Sequence, residues 1–204
     1  MAALLVKNSA LDELCTWEDL TKYDWLFLLE HRTDLADKCP WSMFDGHRLG
    51  RDDVYYLKLL EEHPQYAGKC DLSVFYAEDT DSPFSKEFSI WYYYESAWYS
   101  LLLKHPEFVQ DCPMCSELES DSWARLISEH PSLADYCPWE KLKDASLSEL
   151  EIVIEEQPEL QRHVPWESVK WDVWASILRN YPLLARRPMN CQLAVDLFEP
   201  RKMR

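Results

Sequence analysis

The stretch Trp123–Trp139, WARLISEHPSLADYCPW, sets a pattern that most of the chain repeats. Counted from Trp123 as position 0, apolar residues follow at +3 and +4, proline at +8, leucine at +10, cysteine at +14 and tryptophan at +16. The same register starts again at Trp25, Tyr56, Trp98, Leu150 and Trp174, and a truncated copy covers residues 11–17. Eight of the ten tryptophans lie at position 0 or +16. The sequence therefore predicts about six copies of one structural unit.

Each copy has the pattern of two consecutive helices. Apolar residues at 0, +3 and +4 lie on one face of a first helix. A residue that precedes proline is disfavoured in the α region, so this helix should end near +7. Proline is favoured at the first position of a helix, and residues at +10 and +14 then share one face of a second helix. We therefore predict a helix-turn-helix unit.

A unit of this size cannot bury its apolar face alone, so neighbouring copies must stack. The predicted fold is all-α: an α-solenoid of about six helix-turn-helix repeats. A half-repeat over residues 1–20 would cap its N-terminal end, and a helix over residues 191–198 would cap its C-terminal end. The presence of only three glycines also argues against a β-rich fold or a glycine-rich phosphate loop.

The motif W-x-x-L-L-x-x-H/Q-P-x-L/F-A-x-x-C-x-W resembles tandem repeats of about two dozen residues in uncharacterised bacterial proteins. The resemblance covers most of residues 11–190. It implies a helical array and no particular activity. The sequence departs from the motif at Thr33, Leu150 and Val164, and in the long spacing around residues 73–97.

Residues 1–204 are predicted to form a single repeat domain with two interruptions. Residues 45–52 should form a surface loop, and a larger insertion covers residues 73–97. In this insertion, a helix beginning near Pro83 and ending at Lys104 is favoured by the spacing of its apolar residues. A β-hairpin through residues 88–94 is the alternative, because SIWYYY has a high β propensity. The tail at 199–204 is expected to be disordered.

Acidic residues dominate the charge of the chain. The net charge is −16, and residues 179–204 contribute +4, so the remainder carries −20. Direct binding to nucleic acid requires lysine and arginine at the phosphates, which argues against it here. A field of this sign favours another protein with a basic surface as the partner. The alternative is that the acidic residues only solvate the outer faces of the repeats.

The insertion supplies the predicted partner-binding residues, because it is where the chain departs from its own repeat. Exposed aromatic residues beside acidic ones are typical of the residues that contribute most to protein interfaces. The alternative is that these aromatics cover a neighbouring repeat. The candidate residues are Glu78, Asp79, Asp81, Trp91, Tyr92, Tyr93 and Tyr94.

No catalytic, cofactor-binding or metal-binding residues are predicted. Five cysteines lie at +14, where Val164 replaces cysteine in another copy, so this position calls for a small buried side chain. Cys112 and Cys115 form a CxxC pair, but no second pair or histidine pair follows at zinc spacing. His63, His105 and His130 lie at +7, where a helix terminus rather than catalysis explains them. The chain is therefore predicted not to be an enzyme.

Two functions from different classes remain at this point. The first is an acidic protein-binding module that occludes a basic surface, in its sharpest form a nucleic-acid-mimicking inhibitor of a nucleic-acid-handling enzyme, of the anti-CRISPR-like type that phages encode. The second is a structural adaptor without such a target. No apolar segment has the length of a signal peptide core or a membrane span, so the expected location is the cytoplasm, without membrane association.

Overall fold

The computed structural model describes residues 1–44, 54–75 and 90–182, except for the side chains at 74, 90–92 and 144. Within these ranges the chain is all-helical and contains no β-strand. The predicted loop at 45–52, the helix start near Pro83, the capping helix at 191–198 and the tail at 199–204 lie outside the described residues. The all-α fold class is confirmed for the part that the structure describes.

The described chain divides into two compact units, Met1–Cys115 (unit 1) and Ser116–Arg204 (unit 2). The α-helices of unit 1 are α1 (Ala2–Lys7), α2 (Lys22–His31), α3 (Val54–Glu62) and α4 (Ile90–Lys104). Those of unit 2 are α5 (Ser120–Glu129), α6 (Leu147–Glu156) and α7 (Trp171–Asn180). None of these helices has the length and apolar composition needed to cross a bilayer. The prediction of one continuous domain stays a prediction.

Short 3₁₀ helices connect the α-helices in both units. In unit 1 they are Ser9–Leu14, Trp17–Asp19, Thr33–Lys38, Trp41–Phe44, Pro64–Lys69, Leu72–Val74 and Pro106–Gln110. In unit 2 they are Pro131–Asp135, Trp139–Asp144 and Pro158–Arg162. In the described copies that start at Trp25, Tyr56, Trp98, Trp123 and Leu150, the predicted second helix is present, but it is a 3₁₀ helix. In three of these copies only six residues separate the prolines at +8 and +15, which is too short for a stable α-helix.

Position 0 of the repeat lies in the core of each unit. The side chains at this position, and those at +3 and +4 with the exception of a half-buried Leu178, are almost completely buried. The buried position-0 residues are Trp25, Tyr56, Trp98, Trp123, Leu150 and Trp174. At +14 Cys39, Cys112 and Cys137 are buried, as is Val164 in the equivalent place. The register deduced from the tryptophans therefore corresponds to a real buried face.

Tryptophan at +16 makes the same hydrogen bond in three copies. The indole Nε1 of Trp41 donates to the carbonyl oxygen of Ala36 at 2.9 Å. Trp139 donates to Ala134 at 2.9 Å, and Trp166 donates to Gln161 at 2.7 Å. Each acceptor lies five residues earlier, in the 3₁₀ helix. The half-buried indole is thus held on its own repeat through its polar edge, while its ring contributes to the apolar contacts.

In three copies, residue +7 links the first helix to the one before it. The side chain of Gln157 donates to the carbonyl oxygen of Ser128 at 2.6 Å. Nε2 of His63 lies 3.3 Å from the carbonyl oxygen of Glu30, and Nε2 of His105 lies 3.1 Å from that of Glu61. Each acceptor stands at +5 in the preceding copy, within the last turn of its helix. We call this the inter-repeat hydrogen bond.

Consecutive first helices are parallel neighbours within each unit. Helices α1 and α2, α2 and α3, and α3 and α4 are in contact, as are α5 and α6, and α6 and α7. The inter-repeat hydrogen bonds place the C-terminal ends side by side. In unit 2, Ser120 Oγ donates to the carboxylate of Glu149 at 3.0 Å, which places the N-terminal ends of α5 and α6 together as well.

The start of α4 decides between the two predictions for the insertion. Residues 90–94, which include most of the aromatic run, are helical and continue without interruption to Lys104. The β-hairpin alternative is therefore wrong for these residues. The β propensity of the tyrosines is a weak preference, and burial of one face of the helix outweighs it. Tyr94, Ala97, Trp98 and Leu101 form that buried face.

Candidate protein-binding surface

The structure describes only some of the residues that the sequence predicted as a binding site. Glu78, Asp79 and Asp81 lie outside the described residues. The backbone of Trp91 and Tyr92 belongs to the first turn of α4, but their side chains are likewise outside the description. Tyr93 is exposed. Of the predicted aromatic residues that the structure describes, Tyr93 therefore lies on the surface.

The prediction that Tyr94 belongs to the binding site is wrong. Its side chain is completely buried, so it belongs to the core of unit 1 and cannot form part of a contact surface in the folded chain. The reason is helical geometry, because Tyr94 precedes Trp98 by four residues and so lies on the same face of α4. Within the aromatic run, Tyr93 points outward and Tyr94 points inward.

A second aromatic surface lies on unit 1, in a groove between α2 and α3. Tyr23, Phe27 and Tyr55 leave 50%, 39% and 52% of their surface exposed there. The groove has a volume of about 430 Å³, within the range of ligand-binding pockets. We call it the outer groove. Its lining residues are Tyr23, Leu26, Phe27, Glu30, Tyr55, Lys58, Leu59 and Glu62.

The outer groove has an aromatic end and an acidic end. Tyr23 and Tyr55 lie at the starts of α2 and α3, whereas Glu30 and Glu62 lie at the C-terminal ends of the same helices. The backbone carbonyls at a helix C-terminus carry a partial negative charge, which adds to that of the carboxylates. A bound cationic group is therefore favoured at the Glu30–Glu62 end.

Two lysines modify the charge of the groove. Lys104 donates a 2.6 Å hydrogen bond to Glu62, and this bond lowers the pKa of the Glu62 carboxyl, which favours its ionised form at neutral pH. Lys58 lines the groove, and its Nζ lies 5.7 Å from the centre of the Tyr55 ring. A lysine over a tyrosine face is an attractive cation–π arrangement. The groove thus already holds one cation against an aromatic ring.

A second cleft of about 470 Å³ lies elsewhere on unit 1 and is lined by residues that include Cys70, Asp71, Asp111 and Cys112. The Asp71 carboxylate accepts hydrogen bonds from the backbone and hydroxyl of Ser73. The pKa of the Cys112 thiol is raised, first by a hydrogen bond with Cys115 and then by burial. A thiol held in its neutral form is a poor nucleophile. Cys112 is therefore a poor candidate for a catalytic nucleophile.

The histidines at +7 have structural surroundings. Because a backbone carbonyl only accepts hydrogen bonds, Nε2 of His63 and of His105 must carry the proton that each donates. Nδ1 of His105 lies 3.3 Å from the carboxylate of Glu107. Among the described residues, no group of three or more histidine, cysteine or acidic side chains is arranged to hold a metal ion. The two rings thus contribute to the joints between helices.

Negative charge is concentrated in unit 1. This unit contains ten basic and 21 acidic residues, a net charge of −11, whereas unit 2 contains 11 basic and 16 acidic residues, a net charge of −5. The outer groove therefore belongs to the more acidic unit. An approaching basic protein would be attracted to unit 1 before it touched the groove.

The outer groove was not predicted from the sequence, although the sequence contains aromatic residues that indicate it. Tyr23, Phe27 and Tyr55 stand at −2, +2 and −1 of their copies, outside the buried positions 0, +3 and +4. Aromatic residues outside the buried register should be exposed, and two adjacent copies carry them. The tryptophans, which are mostly structural, dominate the aromatic pattern of the sequence, so these two tyrosines and this phenylalanine give a weaker signal.

Comparison with protein-family models, with curated proteins and with solved structures finds no match to this chain.

Proposed function

We propose that this protein is a non-catalytic binding module of the α-solenoid type, whose acidic unit 1 occludes a basic surface of another protein. The solenoid arrangement is supported by the parallel contacts between consecutive first helices within each unit. It is also supported by the inter-repeat hydrogen bonds, which use the same repeat position in successive copies. Repetition of one joint is what stacked repeats require.

The single observation that carries the binding function is the outer groove of unit 1. Large apolar side chains exposed together are uncommon on a monomeric surface and usually mark an interaction site. Here Tyr23, Phe27 and Tyr55 are exposed in one groove, with Glu30 and Glu62 at its end. Tyrosines at the centre of a contact, surrounded by charged residues, are typical of residues that contribute strongly to binding.

In its sharpest form, the proposal makes the partner a nucleic-acid-handling enzyme whose nucleic-acid site is blocked by carboxylates that stand in for phosphates. The net charge of −11 on unit 1 supports this form. Such a partner must present a basic, phosphate-binding surface, and added nucleic acid should compete with the protein for it. An inhibitor of this kind would fit the anti-defence setting that the sequence suggested.

A structural adaptor without a nucleic-acid-related target is the second candidate. The apolar part of the outer groove favours it, because Leu26, Phe27 and Leu59 are suited to contacts that do not depend on charge. The two functions differ in their response to salt. Binding through carboxylates weakens as salt screens the charges, whereas binding through apolar contacts does not.

The experiment is an affinity capture from a lysate of the native host with four forms of the chain as bait. These are the wild type, Tyr23→Ala/Tyr55→Ala, Trp91→Ala/Tyr93→Ala and the control Tyr136→Ala. Tyr136 is an exposed tyrosine of unit 2, which matches the groove tyrosines in type and exposure. We expect one basic protein to be captured by the wild type and the control, and at least about tenfold less by Tyr23→Ala/Tyr55→Ala.

The other outcomes are also informative. Loss of the partner only from Trp91→Ala/Tyr93→Ala would place the site on α4 instead of the outer groove. Capture of the same acidic or neutral protein by all four baits would contradict binding of a basic surface by unit 1. Circular dichroism of each variant establishes that the helices remain formed.

A further inference from the structure

The strongest feature that remains is the polarity of the outer groove along its length. Tyr23 and Glu30 are seven residues apart on α2, and Tyr55 and Glu62 are seven residues apart on α3. At 1.5 Å per residue, the aromatic and acidic ends are about 10 Å apart on both helices. Because the two helices are parallel, the two aromatic ends coincide and the two acidic ends coincide.

This arrangement sets the chemistry of what the groove can hold. The aromatic end, with Leu26 and Leu59 beside it, favours an apolar side chain. The acidic end favours a guanidinium or an ammonium group, which the Glu30 carboxylate and the helix C-termini attract, whereas the Glu62 carboxylate is shared with Lys104. A peptide segment in the extended polyproline II conformation advances about 3.1 Å per residue and has three residues per turn, so two side chains about three residues apart lie on one face and span this distance.

We propose that the outer groove binds an extended segment of the partner protein that carries an apolar residue followed, three positions later, by arginine or lysine. This inference rests on the proposed function and adds the recognised motif to it. Charge complementarity selects this occupant over an acidic or neutral segment. The groove volume of about 430 Å³ accommodates a few side chains and not a folded domain, so the bound part of the partner is a short segment.

Lys58 repels a cationic peptide that enters the groove. Its ammonium group already lies 5.7 Å from the centre of the Tyr55 ring, so an incoming cationic peptide meets a like charge. Replacing Lys58 by glutamine removes this repulsion and retains a side chain of similar length. Binding of the basic peptide should therefore tighten by about threefold or more in Lys58→Gln.

The test is a titration of the isotope-labelled full-length chain with synthetic peptides, followed by NMR. The probe is an acetylated and amidated nine-residue glycine–serine peptide with leucine at position 3 and arginine at position 6. Two controls carry glutamate in place of arginine, or arginine directly after leucine. We expect saturable shifts of the ring signals of Tyr23, Phe27 and Tyr55 with the probe, and at least about fivefold weaker binding of both controls.

Variants separate this inference from the broader proposal. Phe27→Ala should weaken binding of the probe by about fivefold or more, whereas Tyr136→Ala in unit 2 should leave it unchanged. Equal binding of the three peptides, or shifts confined to other parts of the chain, would overturn the motif. If the motif fails while a basic partner is still captured and depends on Tyr23 and Tyr55, only this inference falls. If that capture fails as well, both proposals fall.

Discussion

At the scale of single residues, the +7 position shows how one side chain can organise a repeat. Tyr181 at this position donates its hydroxyl to a carboxylate of the preceding first helix, whereas arginine, histidine and glutamine in other copies donate to a carbonyl oxygen of the preceding helix. Arg32 does so towards Leu5 of α1 at 3.0 Å, and also forms ion pairs with Asp12 and Asp34. What these residues share is a long side chain with an N–H or O–H donor. The repeat therefore requires a donor at +7 rather than one residue type.

Gln157 provides the test of this requirement. Replacing it by leucine removes the donor and leaves the carbonyl oxygen of Ser128 without its 2.6 Å hydrogen bond. We expect the free energy of unfolding to fall by about 1–2 kcal/mol, measured by urea denaturation. Gln157→His restores a donor of the type found in other copies and should recover more than half of the loss.

The control for this prediction is Glu156→Gln, an exposed neighbour on the same helix. It should change the free energy of unfolding by less than about 0.5 kcal/mol. Losses that are equal in Gln157→Leu and Gln157→His would show that the hydrogen bond contributes nothing to the joint.

At the scale of helices, the sequence contained most of the information about where each element begins and ends. The residue before proline leaves the α region as predicted, with φ and ψ of −134° and 64° at His63 and of −133° and 68° at Gln157. The type of the second helix was not predicted, because the spacing of its apolar residues does not distinguish a short α-helix from a 3₁₀ helix. The inter-repeat hydrogen bond was not predicted either, since its acceptor belongs to another copy.

The start of α6 gives a prediction at this scale. Ser146 and Glu149 form a reciprocal capping box, in which each side chain accepts a hydrogen bond from the backbone N–H of the other. Ser146→Ala removes one half of the box and should lower the free energy of unfolding by about 1 kcal/mol in urea denaturation. Ser146→Gly should lower the free energy of unfolding by only about a few tenths of a kcal/mol relative to the wild type, because glycine is tolerated at this position.

Ser168→Ala is the matched control, since Ser168 is an exposed serine of unit 2 that lies outside the α-helices. A loss in Ser146→Ala no larger than in this control would show that packing of α6, and not its cap, determines where the helix begins.

At the scale of the whole molecule, charge and exposed aromatic surface coincide on unit 1. The total charge was readable from the sequence, but its distribution between two units was not, because the division at Cys115 follows from contacts. The repeat register predicted the buried tryptophans well. The site was predicted only in part, because Tyr93 is exposed and Tyr94 is buried. The outer groove depends on two helices, α2 and α3, that residues 32–53 separate in the sequence.

Because the outer groove has an acidic end, the central prediction is that salt weakens the affinity for the partner. For the partner captured by the wild-type chain, affinity should fall at least about tenfold between about 50 mM and about 500 mM salt. The fall should be clearly smaller for Glu30→Gln/Glu62→Gln, because two of the screened charges are then absent. The measurement is isothermal titration calorimetry across this range of salt concentrations. An affinity that is the same at both ends of the range, in the wild type and in the variant, would contradict recognition of a basic surface by unit 1.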